Sequence, residues 1–173
     1  MASQGLTKPE HAEQTTFSLQ KDLFGEPVRR PTTIPKAALK ALSEDEVVAR
    51  CLKFNEIRPA KLPANWFSAA EVHLRDRAEA DLVIMPFMMV EHPEDEKSQS
   101  GCWDGARGDP FWILKKTGSR YKVILSKSAD ALEILSTSSH GIRDIVLSSH
   151  SVDAISDERM KFDGRQYVLD RSR

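Results

Sequence analysis

From Pro63 onward the apolar residues stop recurring at helical spacing and begin to alternate, and this change of period constrains the fold more than any other feature of the chain. NWFSAAEVHL, EADLVIMPF, PFWILKKT, RYKVIL, ALEILSTS, IRDIVLSS, ERMKFDG and QYVLD are short, rich in β-branched and aromatic residues, and separated by turn residues. No helix of crossover length lies between any two of them, and without a crossover neighbouring strands cannot run parallel. The pattern predicts an α+β, mainly β domain: an antiparallel meander or Greek-key sheet of about eight strands, with one or two short N-terminal helices packed on it.

The helical signal lies just upstream. IPKAALKAL places Pro35 before a short Ala/Leu/Lys segment, and SEDEVVARCLKF offers Ser43 as N-cap with Glu46 as the second half of a capping box. Val47, Val48, Cys51 and Leu52 recur at spacings of three and four, which puts Cys51 on the buried stripe. Residues 1 to 35 are polar and broken by Pro9, Pro27, Pro31 and Pro35, so they read as an extended arm lying on the domain without building its core. Residues 36 to 173 read as the domain itself. A chain of 173 residues is long enough to bury one sizeable core.

Charge and hydropathy exclude some functions. Acidic and basic residues nearly cancel, at 26 and 25, so the basic surplus of a nucleic-acid binder is missing and no nucleic-acid partner is expected. The longest apolar run, Ala80 to Val90, is too short to span a bilayer as a helix. The opening MASQGLTKPEHAEQTT has no basic segment followed by an apolar one. The protein is then either cytoplasmic or a mature periplasmic or secreted form whose signal peptide has been removed. Cys51 and Cys102 show no CxxC spacing and no second pair for a zinc site. In an oxidising compartment they can close a loop of about fifty residues, worth roughly 3 to 4 kcal/mol by loop entropy; in a reducing one they are two unrelated buried thiols.

The second half also lines up against itself. ADLVIM is followed by FWILKKTGSRYKVIL, and RDIVLSS by RMKFDGRQYVLD. In each, an aspartate opens a strand (Asp81, Asp144) and a Gly-x-x-Tyr-x-aliphatic hairpin follows: Gly118, Tyr121, Val123 and Gly164, Tyr167, Leu169. Asp163-Gly164 matches a two-residue turn of the I′ type. The alternatives are duplication of a β unit and the chance likeness of two amphipathic hairpins.

The run DLV, a Gly-Cys-x-x-Gly loop, PFWILKKTGSRYKVIL, a leucine-rich strand, GIRDIV and KFDGRQY resembles a group of uncharacterised exported bacterial β-rich proteins. It is more distantly similar to the periplasmic i-type lysozyme inhibitor family and to single units of FG-GAP-like blades, over roughly Ser43 to Leu169. The chain departs from the blades in having no DxDxDG calcium loop, and no stretch matches a lysozyme-inserting loop residue by residue. The resemblance implies an exported, β-rich binding protein and supplies no catalytic residue.

Chemistry-bearing residues are few. SSHGIRDIVLSSHSVD repeats Ser-Ser-His, but His140 and His150 stand roughly 33 Å apart on one extended strand, so they mark two turns and form no joint site. Asp144 between them faces inward and needs donors, most simply backbone N–H groups or Arg143. His73 sits on the polar side of EVHLRD. A catalytic or metal-dependent reading would gather His73, His140, Asp144 and His150 from several elements, although GxSxG, HExxH, P-loop and GxGxxG motifs are all lacking. In the long connection Val90 to Pro110, Trp103, Asp104, Arg107 and Asp109 are candidate binding residues, and Trp103 either anchors a partner or folds back over Cys102. The expected function is a non-catalytic exported binding or inhibitor-like protein, monomeric, needing no cofactor or metal, with an unknown protein or small-molecule partner. The alternative is a small hydrolase or metal-dependent enzyme.

Overall fold

The computed structural model describes residues 12–19, 21, 24–76, 79–87, 102–103 and 108–172. Among them, helices α1 (Lys36–Ser43) and α2 (Glu46–Phe54) precede most of the strands. The strands are β1 (Thr16–Ser18), β2 (Phe67–Val72), β3 (Asp81–Pro86), β4 (Asp109–Thr117), β5 (Arg120–Ala129), β6 (Ala131–Ser139), β7 (Ile142–His150), β8 (Ile155–Phe162) and β9 (Tyr167–Leu169). They form two antiparallel sheets, one ordered β2-β3-β4-β5 and the other β1-β6-β7-β8-β9. Each of the eight alternating segments is a strand. The chain is thus two four-strand meanders in succession, changing sheet at Asp130 between β5 and β6.

The helices and the two sheets stack in three layers. Val83, Met85, Phe111, Ile113, Ile124 and Leu125 of the four-stranded sheet meet Leu132, Ile134, Ile145, Leu147, Met160 and Phe162 of the other. The opposite face of the four-stranded sheet, with Leu82, Ile84, Trp112 and Leu114, packs on Ala38, Leu42, Val48 and Leu52 of the helices. Covering both faces explains why β3 is buried at all six positions and reads as a continuous apolar run. An irregularity opposite Ile113 and Leu114 leaves Ile124 without a partner in the ladder, so Ile124 and Leu125 both enter the inter-sheet core.

Three local expectations are corrected. First, the arm contributes to the core: β1 pairs with β6, and Phe17 is fully buried at the centre of the inter-sheet cluster. A single buried phenylalanine in a polar segment carries no period, which is why pattern reading misses it. Secondly, the N-cap of α2 is Asp45, whose Oδ1 accepts from the N–H groups of Val47 and Val48, whereas Ser43 closes α1 by donating to the Lys40 carbonyl. Asp45 Oδ1 also accepts from Trp112 Nε1 at 3.0 Å, so one carboxylate caps the helix and satisfies a fully buried indole. Thirdly, the β8–β9 connection is four residues, Asp163 to Gln166, because Phe162 faces Tyr167. Only Gly164 takes positive φ there, and Asp163 Oδ1 accepts from the N–H groups of Arg165 and Gln166.

The internal likeness of the two halves maps onto this topology. Asp81 and Asp144 both lie on the second strand of a meander, and Gly118 and Gly164 both lie in the connection between third and fourth strands. Cys51 and Cys102 form a disulfide that ties α2 to the long β3–β4 connection. No helix among the described residues is long and apolar enough to cross a membrane.

Candidate functional site

The residues singled out by sequence do not converge. His140 takes positive φ in the tight β6–β7 turn with Gly141, and its Nδ1 lies 2.8 Å from the Phe162 carbonyl oxygen. His150 ends β7, where its ring lies 4.2 Å from that of Phe24 and its backbone N–H donates to Asp130. His73 is exposed beyond β2; its backbone N–H and its Nδ1 both meet Glu13 Oε1, while Arg143 reaches the other oxygen of Glu13 at 3.3 Å. Three histidines thus serve three separate contacts: a hairpin, a strand end and a clasp on the N-terminal segment. No group of three or more His, Cys, Asp or Glu among the described residues is placed to hold a metal ion.

Asp144 is buried, as its strand position suggests, but Arg143 is not its partner. Arg143 turns the other way, donating to the Leu135 carbonyl and pairing with Glu13. Asp144 instead accepts from Thr137 Oγ1 at 2.9 Å, Ser139 Oγ at 2.7 Å and Arg159 Nη2 at 2.9 Å. Burial pushes its carboxyl up, yet these hydrogen bonds outweigh the burial and hold it below the usual carboxylate value. The pairing follows from register: Val146 faces Arg159, so Asp144, two residues earlier, shares the guanidinium's side of the sheet. Arg159 also approaches Asp170, which accepts from Ser172 and Lys161 and is lowered to about 2 by those contacts. Asp81 is held in a similar way, by Arg75 Nη2 at 2.7 Å and the Lys116 N–H at 2.8 Å. Each of these buried carboxylates accepts three hydrogen bonds from the protein's own groups. A base or nucleophile must face substrate, and Asp81 and Asp144 are 0% and 1% exposed, so these two read as structural.

Of the loop candidates, Asp104 and Arg107 lie outside the described residues. Asp109 opens β4 opposite Ala129, and Gly108 beside it takes positive φ so tightly that a Cβ would stand 2.5 Å from the Ala129 carbonyl carbon. Trp103 is half-buried next to the disulfide, its ring 5.5 Å from Trp112 and 6.0 Å from Phe67. The indole is engaged with the protein's own aromatic cluster.

A concave surface opens elsewhere. A groove of about 450 Å³ runs along β5 and is lined by five consecutive residues, Val123 to Lys127. Side chains alternate across a strand, so a groove meeting five in a row faces the backbone edge of the strand. One wall is the α1–α2 corner, Glu44, Asp45 and Glu46; the other is Met160 and Tyr167 of the opposing sheet with Gln166 of the β8–β9 connection. Tyr167 is fixed there by donating its hydroxyl to the Arg143 carbonyl at 2.6 Å, and burial, then the charges of Asp144 and Asp81, push its phenol up. With its hydroxyl committed to that carbonyl, the side chain reads as an anchor. Sequence reasoning did not find this groove, because a sheet edge is set by which strands pair, and no residue type marks it.

The class so defined is a disulfide-bearing, helix-covered antiparallel β-sandwich with a groove along β5. Compared with known protein families, with curated proteins and with solved structures, the chain matches none.

Proposed function

We propose that this chain is a non-catalytic, exported binding or inhibitor-like protein, acting in the periplasm or outside the cell on a macromolecular partner. The observation that carries the reading is the β5 groove: the concave surface described above presents backbone edge and carboxylates, and among the described residues that line it no nucleophile is hydrogen-bonded to a base. The Cys51–Cys102 disulfide supports an oxidising compartment, since such bonds persist where thiols are not kept reduced. The resemblance to exported bacterial β-rich proteins points the same way. The separation of His73, His140 and His150 into three unrelated contacts supports binding over hydrolysis.

Elemental analysis of protein purified without chelator, combined with His73→Ala, His140→Ala and His150→Ala variants assayed on ester, peptide and phosphate substrates, tests the reading. Sub-stoichiometric metal and the absence of any activity sensitive to the three substitutions are expected. Stoichiometric metal, or hydrolysis lost on those substitutions, would establish the enzyme alternative instead.

A further inference from the structure

The edges of the two sheets are treated unequally. β1 and β9 are three residues each, too short to template another strand. The free side of β2 is crossed by the arm, where the Thr32 N–H donates to the Ala69 carbonyl at 2.8 Å. β5, by contrast, runs for ten residues with β4 as its one ladder neighbour. Lysines on an edge normally blunt it against pairing. Here both flanking lysines are drawn across the gap: Lys122 Nζ donates to the Arg165 carbonyl at 3.2 Å, and Lys127 Nζ pairs with Glu158 of β8. They stand at the two ends of the stretch that lines the groove, where α1 also packs against β5.

We infer that this edge, Val123 to Lys127, receives an extended peptide segment of the partner as an added strand, and that the segment alternates basic with uncharged side chains. The inference rests on the binding-protein reading above. Five residues of strand span about 17 Å, enough for the main-chain bonds of a typical added strand. Successive side chains of such a segment point to opposite walls. One wall is acidic: Asp45 is spent on its cap and on Trp112, but the Glu44 carboxylate meets no cation among the described residues, and Glu46 has only the exposed Arg50. The other wall, Met160, Gln166 and Tyr167, is itself uncharged, and the Lys127 ammonium at its end is paired with Glu158. Alternate Lys or Arg therefore meets Glu44 and Glu46 while the residues between them pack toward Met160 and Tyr167.

Fluorescence polarisation with a labelled seven-residue peptide alternating valine and lysine tests this on the full chain. Saturable binding is expected with a Kd on the order of 10 to 100 µM, as for a short strand with few anchors. Methylating the backbone nitrogens of alternate residues should abolish binding in the register that faces β5 and spare it in the other, a comparison that needs no protein variant. Glu44→Lys combined with Glu46→Lys should weaken binding at least about tenfold while the protein stays folded, with Tm lowered only by the small cost of the lost first-turn acid and its Arg50 pair, and amide exchange of Val123 to Lys127 should slow on saturation. A valine–glutamate peptide bound equally well, indifference to both methylated series, or no saturation below about 1 mM overturns the inference. A natural partner whose binding survives the double Glu variant overturns it while leaving the binding-protein reading intact; a histidine-dependent hydrolase overturns that reading first.

Discussion

Arg159→Ala isolates what the buried Asp144 carboxylate depends on. Removing one member of a fully buried ion pair costs about 3 to 5 kcal/mol, because the remaining charge is left unpaired. Two facts reduce that here. The Arg159 side chain is 43% exposed against 2% for Asp144, so solvent already screens the pair, and the space vacated by the guanidinium admits water. Thr137 and Ser139 also continue to donate to the carboxylate. The expected loss is about 1 to 2 kcal/mol at neutral pH. Its pH dependence is the sharper test. In the native protein the Asp144 carboxyl is lowered, so it contributes stability above its unfolded value near about pH 4 that is lost as the pH falls through its folded value. Without Arg159, burial is opposed only by the two hydroxyls and the carboxyl rises. It then takes up its proton at a higher pH, and the gap between variant and parent narrows as the pH is lowered from 7 toward 4. Urea unfolding at several pH values, with Asp144→Asn as the charge-free reference, measures that gap. A gap that stays constant over this range would refute the argument that the guanidinium acts on the ionised carboxylate.

Three further outcomes follow from the packing. Cys51→Ser with Cys102→Ser opens a loop with a separation of 51 residues and should cost about 4 kcal/mol by loop entropy, read as a fall in the urea midpoint; two titratable thiols in unreduced, denatured parent protein would remove the bond and with it the argument for an oxidising compartment. Phe17→Ala should cost about 3 to 5 kcal/mol, since the ring is fully buried between the sheets; a loss under about 1 kcal/mol in thermal unfolding would show that the arm does not build the core. Asp45→Ala removes a helix cap and strands the Trp112 N–H, so about 2 to 3 kcal/mol is expected, against a few tenths for Ser43→Ala; equal effects in urea unfolding would restore Ser43 as the cap.

Sequence by itself determined the strand inventory from Phe67 onward, the two helices, the antiparallel sense and the buried position of Cys51, because each depends on local period, turn residues and connection length. It also placed Asp144 inward, since strand parity is local. It did not determine that Arg159, fifteen residues on, is the partner of Asp144, that Phe17 of a polar arm fills the centre of the core, or that Asp45 serves a helix and a tryptophan 67 residues away. Those depend on register between strands distant in sequence, which no local pattern encodes. The groove is the extreme case. Val123 to Lys127 reads as an ordinary strand, and becomes a candidate binding edge only because the chain changes sheet at Asp130 and leaves β5 with a strand partner on one side.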